Sequence, residues 1–241
     1  MNALPALLIA VSSLITGSAA LAGPTITLLY EERAPYQMRS GDTVEGNIAS
    51  PAARAFEAAG IAFVWQASSI SRQLHLLREN RGAYCVVGLY KTGERLTYGK
   101  FTKPIYRNGP TVALMRRQFG AAEPRTLAQT LSLPGLRLLV RDKYSYGALI
   151  DDTLLRVKPD TIAAPLPNSQ LADKLLANRA DMMFASEEEA ATLLRFFGER
   201  ASQLQVQRFS DAAPGMERHI VCSRNVADDV IARLDRAIGF K

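Results

Sequence analysis

Few residues in this sequence have the types and the spacing that covalent or metal chemistry requires. The two histidines, His75 and His219, have no cysteine or carboxylate partner at metal-ligand spacing. Neither stands in a Gly-x-Ser-x-Gly or comparable nucleophile motif. Glu31, Glu32 and Glu187 have the chemistry of a general acid, but no motif pairs any of them with a base. The residues therefore favour binding over catalysis, and we expect neither a metal nor a cofactor.

The two cysteines, Cys85 and Cys222, allow two interpretations. In an oxidising compartment such a pair is more often a disulfide than two free thiols. The alternative is two buried thiols that pack as small hydrophobic side chains. The spacing in the sequence leaves both open, because a bridge requires Cα atoms roughly 4.4–6.8 Å apart.

Residues 1–22 have the order of a secretory signal peptide. They carry no charged side chain, include an apolar run over residues 6–15 and end in Ala20-Leu21-Ala22 before Gly23. The run is shorter than the roughly 20 residues that a membrane-spanning helix needs. We expect cleavage after Ala22 and secretion of the mature chain to the periplasm. Gly23 stands where a lipid-anchored form would have a cysteine, which argues against such an anchor.

The charge distribution argues against nucleic acid as a partner. The net charge is +6, but the basic residues are scattered, and Arg116-Arg117 is the only doublet of lysine or arginine. No basic run with interleaved aromatic residues appears. The balance supports a mild preference for anionic ligands. The mature chain of roughly 220 residues is long enough for two lobes of about 100 residues each.

Strand and helix patterns alternate along the chain, which indicates an α/β fold with mostly parallel sheets. β-rich apolar runs predict strands over residues 25–30, 61–65, 85–89, 111–115, 136–140, 181–184 and 219–222. Helical spacing predicts helices over residues 49–59, 69–80, 145–155, 171–177, 186–197 and 226–238. Ser186 and Glu189 predict a capping box at the start of one of them.

Five short motifs, in this order, resemble bacterial extracellular solute-binding proteins of family 3, the periplasmic receptors of ABC transporters. They are residues 34–36 (APY), 88–95 (GLYKTGER), 101–106 (FTKPIY), 135–147 (GLRLLVRDKYSYG) and 178–181 (NRAD). No single motif is specific, but together they span nearly the whole mature chain.

The resemblance implies a two-lobed periplasmic-binding-protein-like fold (type II), with two mostly parallel sheets joined by a hinge of two segments. The implied boundaries are residues 23–106 plus 216–241 for one lobe and 107–215 for the other. In that topology the strands of Cys85 and Cys222 are neighbours, which favours the disulfide.

The resemblance also implies a ligand site in the cleft between the lobes. Arg95, in a Thr92-x-x-Arg95 turn, matches the family arginine that binds a ligand carboxylate with two parallel donors. Ser145 matches a small hydroxyl residue that meets the same carboxylate at a helix N-terminus. The alternatives are a surface arginine that starts a helix and an ordinary N-cap serine.

Several positions depart from the family pattern. Ser186, followed by Glu187, stands where amino-acid receptors have an aspartate for the ligand ammonium group. Tyr90 and its neighbour replace a small polar residue, and Arg33 replaces a residue that is often aromatic. We therefore expect a more cationic cleft, with Tyr90, Thr92, Arg33, Ser186 and Glu187 as further ligand-binding candidates.

The leading hypothesis is a monomeric, non-enzymatic receptor for a small anionic or zwitterionic solute, an amino acid or an organic acid, with an ABC permease as a candidate partner. The alternatives are a dehydratase-like periplasmic enzyme on the same scaffold and a sensory or orphan binding module without a transport role.

Overall fold

A computed structural model describes residues 25–120 and 123–240 of the chain. The signal peptide predicted for residues 1–22 lies outside these described residues. Within them, no helix combines the length and the apolar character that crossing a bilayer requires.

Strands and helices alternate along the described residues. The strands are β1 (Ile26–Tyr30), β2 (Met38–Ser40), β3 (Thr43–Glu45), β4 (Phe63–Ala67), β5 (Tyr84–Leu89), β6 (Gly99–Arg107), β7 (Thr111–Arg116), β8 (Leu138–Arg141), β9 (Thr161–Ala164), β10 (Met182–Ser186), β11 (Leu204–Gln207) and β12 (Glu217–Ser223). The α-helices are α1 (Ala49–Ala58), α2 (Ile70–Glu79), α3 (Gly93–Leu96), α4 (Leu127–Leu131), α5 (Ala148–Val157), α6 (Asn168–Leu176), α7 (Glu187–Phe197) and α8 (Asp228–Ala237).

The first five-stranded sheet has the order β4-β1-β5-β12-β6 and has helices on both faces. Neighbouring residues of a strand point to opposite faces, so Leu28 and Leu29 enter different cores. Leu28 packs with Phe56 of α1 and Leu234 of α8. Leu29 packs with Leu77 of α2. We call this sheet and its helices lobe 1.

The second five-stranded sheet, in the order β11-β7-β10-β8-β9, is built in the same way. Met183 packs with Leu171 of α6 on one face. Met182 packs with Leu127 of α4 and Ile150 of α5 on the other face. We call this unit lobe 2.

Two short segments carry the chain between the lobes. The first connects β6 to β7 through Asn108, and the second connects β11 to β12 through residues 208–216. The backbone N–H of Asn108 donates to the carbonyl of Met216 at 3.2 Å, so the two segments run side by side. This arrangement gives the two-lobed architecture that the sequence predicts.

The expectation of two mostly parallel sheets is corrected, because both sheets are mixed. β12 runs antiparallel to β5 and β6, and β7 runs antiparallel to β10 and β11. Both strands enter their sheets directly from a crossing segment, without the helical crossover that would return the chain in the parallel sense.

The predicted disulfide is confirmed. Cys85 on β5 and Cys222 on β12 are opposite residues of an antiparallel pair and are bonded to each other, with Cα atoms 3.9 Å apart. Both residues are fully buried. The alternative of two free thiols is therefore wrong.

Several elements have no clear periodic signal in the sequence and were not predicted. They are the β2–β3 hairpin, α3, α4, β6, β9 and β11. β6 contains Pro104, which a strand tolerates here because β6 lies at the edge of its sheet.

Candidate functional site

The lobes face each other across two spaces of very different size. The outer cavity has a volume of about 640 Å³ and is lined by Arg78, Thr92 and Arg95 of lobe 1 and by Lys143 and Ser145 of lobe 2. The inner cleft has a volume of only about 20 Å³ and lies among Arg33, Tyr90, Tyr144, Ser186 and Arg218. Tyr144 contributes to both spaces.

The turn after β5 positions Arg95 at the outer cavity. Thr92 caps the short helix α3 by accepting a hydrogen bond from the backbone N–H of Arg95 at 3.3 Å. The Arg95 guanidinium is only 6% exposed and donates through Nη1 to the carbonyl of Tyr90 at 2.9 Å. It forms no ion pair with any residue in the described ranges, so it is a buried cation at the cavity wall without a carboxylate partner.

The loop after β8 places Ser145 on the opposite wall. Its hydroxyl donates to Asp151 Oδ2 at 2.6 Å and accepts from the N–H of Gly147 at 3.3 Å. The prediction that Ser145 starts a helix is wrong, because α5 begins at Ala148 with Gly147, at φ 98°, as its N-cap. Ser145 therefore lines the cavity from a loop, and its hydroxyl proton is already donated to Asp151.

Lys143 supplies the second cation of the outer cavity. It lies in the same loop as Ser145, with a left-handed backbone at φ 56°, and lines the cavity. Arg78, in contrast, is paired with Glu94 at 2.5 Å. Among the described residues that line this cavity, Arg95 and Lys143 are thus the cations without a carboxylate partner.

The inner cleft is closed by a bidentate ion pair between the lobes. Arg33, just after β1, donates from Nε and Nη2 to the two carboxylate oxygens of Glu189 on α7, each at 2.5 Å. Its Nη1 donates to the hydroxyl of Tyr144. The guanidinium carbon also lies 5.1 Å from the ring centroid of Tyr36 and 5.4 Å from that of Tyr144.

Burial and neighbouring charges shift the pKa of these groups strongly. Burial lowers the pKa of Arg33, but Glu189 and Tyr144 together outweigh burial, so the pKa lies well above its ordinary value. Burial alone would raise the pKa of the Tyr144 phenol, whereas Arg33 and Arg218 together lower it to about 7. The two arginines thus favour the ionised form of the Tyr144 phenol.

Arg218, on β12, lines the inner cleft and forms a hydrogen bond to the first segment that crosses between the lobes. It donates from Nε to Asn108 Oδ1 at 3.0 Å and from Nη1 to the carbonyl of Gly88 at 3.1 Å. Its guanidinium lies 3.7 Å from the ring centroid of Tyr90, whose hydroxyl donates to the same Asn108 oxygen at 3.1 Å. Burial raises the pKa of Tyr90 to about 12.

A second ion pair and further hydrogen bonds join the lobes beside Arg33. Nη2 of Arg141, at the end of β8, donates to both oxygens of Glu31, at 2.6 and 2.8 Å. The hydroxyl of Tyr36 bonds to Ser186 and, at 3.2 Å, to Glu188. Three side chains of the segment after β1 therefore cross to lobe 2.

The structure divides the residues that the sequence singled out. Arg95, Thr92 and Ser145 line the outer cavity, whereas Arg33, Tyr90 and Ser186 surround the inner cleft.

Glu187 lines neither space. It forms an ion pair with Arg208 at 2.6 Å on the outside of lobe 2. Ser186 does accept from the N–H of Glu189 at 3.3 Å, but the predicted capping box is incomplete, because the Glu189 carboxylate binds Arg33 instead.

Sequence reasoning missed four residues that shape the two spaces: Lys143, Tyr144, Glu189 and Arg218. In the sequence, Glu189 was explained by the capping motif at the start of its helix. Its contact with Arg33 of lobe 1 becomes visible only in the structure. Lys143 and Tyr144 stood beside Ser145 in a motif that the sequence did single out. Among the described residues there is no group of histidine, cysteine, aspartate or glutamate side chains suited to hold a metal ion.

Solved structures match this two-lobed arrangement over most of the chain. An ancestral arginine-binding protein bound to arginine is 12% identical, with a TM-score of 0.72, over 89% of this chain and 90% of that one. An amino-acid ABC transporter substrate-binding protein from Streptococcus pneumoniae bound to L-arginine is 16% identical, with a TM-score of 0.70, over 89% and 86%.

A double mutant of the BvgS VFT2 domain of Bordetella pertussis is 17% identical, with a TM-score of 0.69, over 89% of this chain and 86% of that one. No protein-family model matches the chain, and no curated protein matches it in sequence. The likeness therefore concerns the fold: the chain has the two-lobed fold of amino-acid ABC transporter substrate-binding proteins.

Proposed function

We propose that this protein is a periplasmic receptor that captures a small carboxylate-bearing solute in the outer cavity. The observation that carries the proposal is that two cations without a carboxylate partner among the described residues, Arg95 and Lys143, face one cavity from opposite lobes. A bound carboxylate would neutralise both charges at once, and it would do so only while the lobes are together.

The chemistry of the wall suits a small polar acid. A guanidinium offers two parallel donors that match the two oxygens of a carboxylate, and an ammonium group adds a mobile point charge. The volume of about 640 Å³ is ample for an amino acid or an organic acid.

An amino group on the solute would also find partners in this cavity. Asp151 lines the same space, and Ser145, whose proton is given to Asp151, offers an acceptor lone pair. Both an amino acid and an organic acid therefore suit this cavity as the solute.

Delivery of the solute to an ABC permease is part of the proposal, as are export and binding without turnover. The shared fold with a substrate-binding protein of an ABC transporter supports delivery. The signal-like residues 1–22 support export.

A thermal-shift screen of amino acids and organic acids tests the binding site. We expect at least one acid to raise the melting temperature of the wild type, and the shift to be lost in Arg95→Ala. Arg39→Ala is the matched control, because Arg39 is exposed and, among the described residues, donates only to the carbonyl of Gly41. An equal shift in wild type and Arg95→Ala would place the solute elsewhere.

A second candidate is a sensory or orphan binding module without a transport role. The observation that favours it is the inner cleft, which the protein fills with its own side chains. The likeness to the BvgS VFT2 domain supports it, since the fold occurs there as a domain of BvgS. Permease and ATPase genes beside the gene would favour transport, whereas signalling genes would favour sensing.

A further inference from the structure

In the inner cleft, the side chain of Arg33 makes the contacts that a bound ligand would make. Arg33 belongs to lobe 1, but its guanidinium makes its ion pair and its hydrogen bond to the phenol with residues of lobe 2. The remaining cavity volume of about 20 Å³ can hold about one water molecule but no solute.

The contacts around Arg33 are those that recognise a guanidinium ion. Its Nε and Nη2 donors meet both oxygens of one carboxylate, that of Glu189, in the fork geometry that distinguishes guanidinium from ammonium. Nη1 meets a phenol oxygen, and two aromatic rings lie within 5.4 Å of the guanidinium carbon. Shape, charge and hydrogen-bonding capacity are thus all matched to this ion.

The burial of these groups ties the contacts to closure of the lobes. The Glu189 residue is 1% exposed, and the Arg33 side chain is 13% exposed. Separating the lobes would remove the only ion-pair partner that either group has among the described residues. In a two-lobed protein, a ligand that contacts both lobes favours the closed state in the same way.

We propose that the inner cleft is a guanidinium-binding site whose occupant is the chain's own Arg33, which closes the lobes without a solute. An external guanidinium compound can take this site only when the Arg33 side chain is absent. The site is distinct from the outer cavity, so the inference stands independently of the solute proposed above.

Chemical rescue tests this inference. In Arg33→Ala the part of the side chain lost beyond Cβ corresponds to N-ethylguanidinium, which serves as the probe. Calorimetry measures its binding, and small-angle X-ray scattering measures closure against the radius of gyration of roughly 17 Å expected for a compact chain of this size. Ethylammonium is the control probe, with the same charge but no fork.

We expect Arg33→Ala to have a larger radius of gyration than the wild type and to return to the wild-type value with N-ethylguanidinium. The probe should bind with a Kd on the order of 1 mM and at least about tenfold more tightly than ethylammonium. Arg141→Ala removes the other interlobe ion pair and leaves Arg33 in place, so it should not gain probe binding. The double variant Arg33→Ala/Glu189→Gln should also lose it.

Two results would overturn the inference: no gain of N-ethylguanidinium binding in Arg33→Ala, or an unchanged radius of gyration in that variant. If Arg33→Ala does not fold, Arg33→Lys replaces it, because lysine keeps the charge and lacks the fork. An equally closed Arg33→Lys protein would then count against the proposal. The Arg95→Ala experiment addresses the other cavity, so either proposal can fail alone.

Discussion

The outer cavity and the inner cleft lie between the same two lobes and differ in what meets an arginine of lobe 1. In the inner cleft, Arg33 meets the carboxylate of Glu189, and almost no free space remains. In the outer cavity, Arg95 meets no carboxylate among the described residues, and about 640 Å³ remain open. A guanidinium of the same chemistry thus closes one space and leaves the other available to a ligand.

The difference arises from which residues lobe 2 presents to each arginine. α7 directs the carboxylate of Glu189 across to Arg33, whereas the loop after β8 directs Lys143 toward the cavity of Arg95. Like charges facing each other across a cavity disfavour its collapse, and opposite charges favour it. The carboxylates that also line the outer cavity, Glu94 and Asp151, are engaged by Arg78 and Ser145, so an anion that meets both Arg95 and Lys143 should favour its closure.

Removing the carboxylate of the inner cleft should give the largest effect. Glu189→Ala leaves Arg33 with a buried charge and no carboxylate partner, which should lower the free energy of unfolding by about 3–5 kcal/mol in urea titrations. Glu187→Ala is the matched control two residues away. Its ion pair with Arg208 is exposed and should contribute less than about 1 kcal/mol. Equal losses of stability in both variants would contradict the expectation that the buried ion pair of Glu189 stabilises the fold more than the exposed ion pair of Glu187.

The titration of Tyr144 probes the charge of the inner cleft directly. Its pKa of about 7 lies below the ordinary value of 10, so the unfolded chain binds more protons between these two pH values. The contribution of the phenolate to stability should be fully present above pH 10 and lost as pH falls through 7, with an upper limit of about 4 kcal/mol. Unfolding of wild type against Tyr144→Phe over this range measures it.

In Arg33→Ala the pKa of Tyr144 should move up toward 10, because one of the two cations that lower it is gone. Phenolate absorbance at 295 nm follows the shift. An unchanged titration would show that Arg33 does not set the charge of this cleft.

Loss of the disulfide should lower the stability of the protein without changing its affinity for the solute. Neither Cys85 nor Cys222 lines the outer cavity or the inner cleft, and the bond closes a loop of 137 residues. Replacing both cysteines with alanine should lower the free energy of unfolding by about 2–4 kcal/mol. Solute affinity at low temperature should not change, and a loss of affinity there would show that the bond also positions the cavity.

The smallest effect is expected in the outer cavity. Lys143→Met should weaken binding of the anionic solute about tenfold, or about 1.4 kcal/mol, because it removes one of the two unpaired cations. Ser145→Ala should weaken it less, since that hydroxyl already donates its proton to Asp151. Calorimetric titration measures the solute affinity of both variants. A larger loss of affinity in Ser145→Ala would show that Ser145, and not Lys143, is the main contact of lobe 2 with the solute.

The fold was largely predictable because its signals are local. The buried run of β1, the helical spacing of α2 and the alternation of strands with helices all follow from side-chain periodicity. Cys85 and Cys222 could be paired once the topology made their strands neighbours. The mixed sheets escaped prediction, since periodicity reports burial and not strand direction.

The candidate site was only partly predictable because its contacts join distant segments. Thr92 and Arg95 form a local turn, and their place at a cavity could be expected. Arg33 and Glu189 are 156 residues apart, and each has an ordinary local explanation at the end of a strand or the start of a helix. The pairing that closes the inner cleft appears only when the two lobes are placed together.

A crystal structure of the protein with an acid identified in the thermal-shift screen tests the contrast between the two spaces most directly. We expect the solute in the outer cavity, with its carboxylate against Arg95 and Lys143 and with the ion pair of Arg33 and Glu189 intact. A solute bound in the inner cleft, with Arg33 displaced from Glu189, would contradict it.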